Sequence, residues 1–143
     1  MKALLSHEPG PPETLRLTDV PEPRPGKGEL LVRVRASAIN YPDVLIIEDK
    51  YQFKPPRPFA PGGEIAGEVV EVGEGVEGWQ AGDRLIAVTG HGGLSEIATI
   101  AAQAAFRLPA GRSFEEGAAL LLTYATSIHA LYDRGKLVAG QTL

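Results

Sequence analysis

Asn40-Tyr41-Pro42-Asp43 gathers an amide, a phenol and a carboxylate into four consecutive positions. An amide can orient a ligand by donating and accepting at once. A phenol can wall a pocket, and a carboxylate can move a proton or cap a backbone. Asn, Pro and Asp are also ordinary turn residues, so a plain loop is the competing reading. The stretch leaves a strongly alternating segment, and loops at strand ends often carry function. Asn40 and Tyr41 are therefore the first candidates for a site.

Other groupings carry less. Gly73, Gly75 and Gly78 satisfy the GxGxxG spacing of a dinucleotide loop. That chemistry needs a helix whose N-terminal amides face the phosphates. Trp79 to Asp83 and then another strand-like run follow instead, which predicts a β-turn region. His7, His91 and His129 have no paired spacing, and with no cysteine in the chain a structural zinc site lacks ligands. Ser95 does not complete a G-x-S-x-G elbow, because Ile97 stands where the last glycine belongs. Asp43, Glu64 and Glu68 could form an acid–base set, at separations the sequence leaves open; Glu68 and Glu71 read as a solvated strand face.

These residues sit in a chain of 143, the size of one ordinary domain, with 43% hydrophobic and 22% charged residues. A net charge of −4 with scattered basic residues argues against a nucleic-acid surface. The absence of cysteine excludes disulfides and fits the cytoplasm. No apolar stretch is long enough to span a bilayer, and MKALLSHEPG lacks the apolar core of a signal peptide. The 17 glycines and 12 prolines make about a fifth of the chain, against about 12% on average. Spread at short intervals, they predict short strands and tight turns, hence a mainly β body.

Strands are expected over Met1–Ser6, Leu15–Asp19, Leu30–Ala38, Ile65–Val72, Asp83–Thr89, Leu94–Ile100 and Phe106–Leu108. In Leu30–Ala38 the even positions Leu30, Val32, Val34 and Ala36 share one face; Leu31, Arg33, Arg35 and Ser37 share the other. Asp43–Asp49 suits a helical turn or short helix, and Pro55, Pro56, Pro58 and Pro61 forbid a regular element before Gly62. Ser113-Phe114-Glu115-Glu116 is a capping box opening an apolar run to Leu131. The polar Thr123–Ser127 inside that run predicts a break, with a second helix starting near Thr126. Lys136–Leu143 reads as a loop feeding a new strand, QTL, which suggests a fragment of a longer protein.

In order, PEPRPGKGELLVRV, ASAINYPDV, PFAPGGEIAGEVVEVGEGV, GDRLIA, GGLSEIATI and AALLLTYATSIHAL span essentially the whole chain. Together they resemble the N-terminal, GroES-like domain of the medium-chain dehydrogenase/reductase family. The resemblance implies a partly open β-barrel with peripheral short helices and a C-terminal helix leading to a Rossmann domain. Residues 1–112 would form the GroES-like substrate domain. Residues 113–143 would form the junction helices and the start of the coenzyme domain.

Zinc-using members carry ligands at the positions of Asn40, Gly63 and near Leu122, and none of these residues is a zinc ligand of that kind. The chain is therefore most similar to the zinc-independent quinone oxidoreductase branch. That resemblance implies hydride transfer from NADPH, with NADH not excluded, to a quinone or conjugated carbonyl, without zinc and without a metal Lewis acid. It implies catalytic roles for Asn40 and Tyr41, substrate contacts at Tyr41 and Tyr51, and cofactor contacts at Asn40 and Thr126. A tyrosine common in relatives is replaced by Leu45, which weakens a tyrosine proton-donor scheme. The implied protein is a cytoplasmic homodimer at full length. Reduction of an enoyl thioester, or a non-catalytic β-barrel binding module, remains an alternative. Residues 1–143 alone would bind NADPH poorly, because the phosphates lack a helix N-terminus.

Overall fold

The computed structural model describes residues 1–142. Strand β1 (Lys2–Leu5) pairs antiparallel with β2 (Arg16–Asp19) in a two-stranded sheet. A five-stranded antiparallel sheet is built from β3 (Glu29–Ala38), β4 (Glu64–Val72), β5 (Arg84–Val88), β6 (Ile97–Ala101) and β7 (Ala105–Arg107). Its spatial order is β6-β3-β4-β5-β7. Leu4 N–H donates to Leu94 O at 2.9 Å and Glu96 N–H to Lys2 O at 3.0 Å, so the small sheet is laced to the segment entering β6. The five-stranded sheet does not close on itself: β6 and β7 remain its edges. The expected mainly β, GroES-like architecture is thus observed as open sheets with short helices at the periphery.

One core lies on the face presented by Leu30, Val32, Ile65, Val69, Leu85, Ala87 and Ile100. The opposite face of β4 and β5 presents Ala66 and Ile86 to α2 (Phe114–Ala118), with Leu108 and Ala118 between. Gly67 lets β3 and β4 close up: a Cβ there would run into the Arg33 carbonyl and the Val32 side chain.

Three local expectations are corrected. Leu31, placed with Arg33 and Arg35 on the face opposite Leu30 and Val32, is buried while both arginines are exposed, and the register of β3 against β4 shifts between Leu31 and Val32 and again between Val34 and Ala36. Such bulges break strict alternation. The helical break falls at Ala119–Leu120, not within Thr123–Ser127; α3 runs unbroken from Leu121 to Ile128 and continues as a π-helical turn over His129–Arg134. Hydroxyls do not interrupt it because they bond back along the helix, Thr123 Oγ1 to Ala119 O at 2.8 Å and Ser127 Oγ to Thr123 O at 2.9 Å. Of the expected QTL strand, Gln141 and Thr142 are irregular and Leu143 lies outside the described residues. The Ser113 capping box is present: Glu116 N–H donates to Ser113 Oγ at 3.2 Å, and Ser113 N–H to Glu116 Oε2 at 2.8 Å.

Candidate functional site

Helix α1 spans Tyr41–Ile47, beginning two residues before Asp43. Asn40 is extended at its N-cap, and Pro42 occupies the first turn, where no backbone donor is missed. Asp43 fixes the start. Its Oδ2 accepts from Asn40 N–H at 2.8 Å, and its Oδ1 accepts from Gly62 N–H at 3.1 Å and Gly63 N–H at 2.9 Å. Gly62 has φ +93°, which a side chain would strain, and a Cβ there would stand 2.9 Å from Leu94 N. One buried carboxylate therefore clamps the helix to the glycine turn that enters β4.

Beside this clamp is a cavity of about 190 Å³ lined by Asn40, Ile46, Tyr51, Phe53, Val88 and Leu122, among others. A wider groove of about 440 Å³ lies near Leu108, Leu120 and Tyr124, but its charged residues Arg112 and Glu116 are ion-paired with each other. Polar groups converge at the smaller cavity, so we take that as the site.

Glu64 is the group that sequence reasoning left unplaced. Its side chain is fully buried. Oε2 accepts from Asn40 Nδ2 at 3.1 Å, and Oε1 accepts from Leu122 N–H in the first turn of α3 at 2.9 Å. Among the described residues it has no salt-bridge partner. Glu68, four residues along on the same side of β4, instead meets Arg35 Nη2 at 2.6 Å on the solvated face, as expected. The difference is tertiary: the start of α3 covers one end of that face and leaves the other open. The three carboxylates thus share no acid–base cluster.

The structure brings Asn40, Tyr51 and Leu122 to one cavity. It does not bring Tyr41 there: that ring is 76% exposed and outside the lining. Thr126 is exposed on α3, one turn beyond Leu122, and is linked to Asn40 through Glu64 and the helix. Sequence reasoning missed Phe53. Its ring lines the cavity and stacks on His91, with centroids 6.0 Å apart and planes 20° apart. Phe59 meets the other side of His91 edge-on at 5.9 Å. Burial holds the His91 imidazole below its ordinary pKa of 6.5. An isolated Phe between Gln52 and Lys54 in a proline-rich loop offered no periodic signal to find it by.

The remaining motifs have local explanations. The Gly73–Gly78 segment joins β4 to β5 and opens no helix. The Ser95 hydroxyl lies 2.6 Å from Gly92 O in a turn. No three His, Asp or Glu residues are grouped to hold a metal ion among the described residues.

Residues 26–110 match the family described as alcohol dehydrogenase GroES-like domain. The chain is 35% identical to the quinone oxidoreductase of Rattus norvegicus, over 100% of this chain and 44% of that protein. It is 40% identical to the synaptic vesicle membrane protein VAT-1 homolog of Homo sapiens, over 85% of this chain and 31% of that protein. Among solved structures, the Escherichia coli quinone oxidoreductase complexed with NADPH superposes with a TM-score of 0.85 at 33% identity, covering 94% of this chain and 41% of that one. The chain thus spans less than half the length of these relatives.

Proposed function

The chain belongs to the medium-chain dehydrogenase/reductase family through its alcohol dehydrogenase GroES-like domain, and from that premise we propose that it is the substrate-side part of a zinc-independent oxidoreductase passing hydride from NADPH to a quinone or conjugated carbonyl. The reading extends to a cytoplasmic homodimer at full length, with residues 113–143 as the junction to a coenzyme domain. The observation that carries it is the Asn40 amide, held against a largely apolar cavity by a buried carboxylate.

A zinc ion does not fit the donor set. Asn40 is engaged with Glu64, Gly63 has no side chain and Leu122 is aliphatic. Both Glu64 oxygens are already bonded. The nicotinamide end of a dinucleotide does fit, since an oriented amide and the Thr126 hydroxyl one turn beyond Leu122 can meet its polar edge. The phosphates do not fit the Gly73–Gly78 turn, and we assign them to the coenzyme domain.

When bound, the reduced nicotinamide supplies the hydride. The chain's own residues then place the acceptor carbon against it and exclude water. In this reading Asn40 orients, Thr126 contacts the nicotinamide end, and Tyr51 and Phe53 flank the acceptor ring. Tyr41, outside the lining, would meet only the part of a ligand that projects beyond the cavity.

The test is turnover by the purified full-length protein with NADPH or NADH against quinones, enones and enoyl thioesters. Reduction of quinones or enones is expected, and Asn40→Ala should lower kcat/KM by about tenfold or more, the worth of one oriented hydrogen bond in a desolvated site. Preference for thioesters would move the substrate class. Failure with every acceptor would sink the reading.

A further inference from the structure

A carboxylate buried with no cation beside it is costly unless its lone pairs are satisfied, and here two donors from distant parts of the chain satisfy it. Leu122 N–H donates to one oxygen, and the Asn40 amide faces the other with its NH2 group, Nδ2 standing 3.1 Å from Glu64 Oε2. Oδ1 forms the other end, beside the Asp43 N–H of the capping box and with a second lone pair to offer, and Asn40 lines the cavity.

From this geometry we propose that Glu64 is a positioning residue. It holds Asn40 so that the amide offers its oxygen, an acceptor, to a donor on the ligand, and it locks that amide to the first turn of α3. The proposal deepens the oxidoreductase reading and rests on it for the identity of the ligand. A quinone carbonyl carries no hydrogen-bond donor, whereas a nicotinamide nucleoside has its carboxamide NH2 and ribose hydroxyls. The Asn40 oxygen is thereby assigned to the cofactor and not to the acceptor. Glu64, which touches neither, couples Asn40 to the helix that carries Thr126, so both cofactor contacts move as one unit.

Isosteric swaps distinguish this from a merely structural carboxylate. In Glu64→Gln the new oxygen keeps Leu122 N–H and the new NH2 faces Asn40, so the Asn40 amide must turn over and offer NH2, not oxygen, to the cavity. In Asn40→Asp two carboxylates confront each other at about 3 Å, the separation of the bond they replace. The double variant Asn40→Asp/Glu64→Gln restores every bond with the charge on the other side. Its new NH2 faces the aspartate, its oxygen still accepts from Leu122 N–H, and an acceptor oxygen remains toward the cavity.

The experiment uses the full-length protein, with NADPH affinity by fluorescence titration and steady-state kinetics with a quinone. Each single variant should raise the NADPH Kd by roughly tenfold, as for loss of a hydrogen bond to a charged group, while the quinone KM stays near wild type. The double variant should recover to within a few-fold of wild type. A wild-type-like Kd in Glu64→Gln, an effect on quinone KM alone, or a double variant no better than the singles would each overturn the proposal.

A separate readout covers variants that fold poorly and a wild type that binds no NADPH. With 15N-asparagine labelling, one Asn40 NH2 proton in the wild type should sit downfield, as expected for a bond to a carboxylate, and Asn40→Asp assigns it by loss of the signal. An ordinary, solvent-like pair of shifts would sink the Glu64 assignment independently of function. An inert wild type with the downfield proton would sink the function and leave the positioning geometry standing.

Discussion

His91 lies between the rings of Phe53 and Phe59, and only the first of these lines the cavity. The imidazole is thus a packing element behind the site, and desolvation favours its neutral form. Its folded pKa lies below the ordinary 6.5, so the unfolded chain takes up the proton first as the pH falls. Stability is therefore full above about pH 6.5, declines as the pH falls through the window down to the folded pKa, and declines no further once the folded imidazole is charged too. Thermal unfolding followed from about pH 7.5 to about pH 5 should show this fall in the wild type and a flatter profile in His91→Gln. Equal slopes would mean that desolvation of His91 does not set the pH dependence. Neither the Phe53 stack nor the burial of His91 was legible in the sequence, because both depend on a proline-rich loop folding back onto a glycine-rich one.

At the scale of elements, α1 is held less by its own length than by the Asp43 clamp. Seven residues are too few for a helix to persist unaided. The single Asp43 carboxylate bonds its N-cap and two amides of the turn that enters β4. Asp43→Ala removes all three acceptors and leaves the buried Gly62 N–H unpaired. The expected cost is about 3 kcal/mol in chemical denaturation, from the desolvation of orphaned donors. Asp43→Asn keeps one acceptor oxygen and should cost less. A loss below about 1 kcal/mol for Asp43→Ala would mean that water replaces the clamp and that the β4 turn holds itself. The sequence pointed to Asp43 as a turn former and possible acid; its role as a bridge between two elements came from the fold.

For the whole molecule, the apolar residues Leu120, Tyr124, Ile128 and Tyr132 form an exposed row, four residues apart, along α3 and the π-helical turn. A contiguous apolar face of this kind marks a surface that a partner covers. In the proposed reading that partner is the coenzyme domain. Residues 1–143 prepared alone should self-associate on size exclusion at micromolar concentration, and Tyr124→Lys/Ile128→Lys should shift them toward monomer. A monomeric wild-type piece would remove this face from the proposed junction.

Much of the architecture was legible from residues alone. Alternation located the strands to within a few residues, the Ser113-x-x-Glu116 box located α2, and the context of Gly73–Gly78 identified it as a turn region that opens no helix. These are local signals, written in spacings of two to four residues. The site was not local. Glu64 and Glu68 are indistinguishable by spacing, and only one is buried, because Leu122 in a helix 58 residues after Glu64 lands on that end of the strand. Tyr41 sits beside Asn40 in the chain and outside its cavity, because the backbone changes from extended at Asn40 to helical at Tyr41 and the two side chains diverge. Residue type and period determined which elements form. Long-range packing alone decided which polar group is sealed from water, and with it which end of the Asn40 amide faces the cavity.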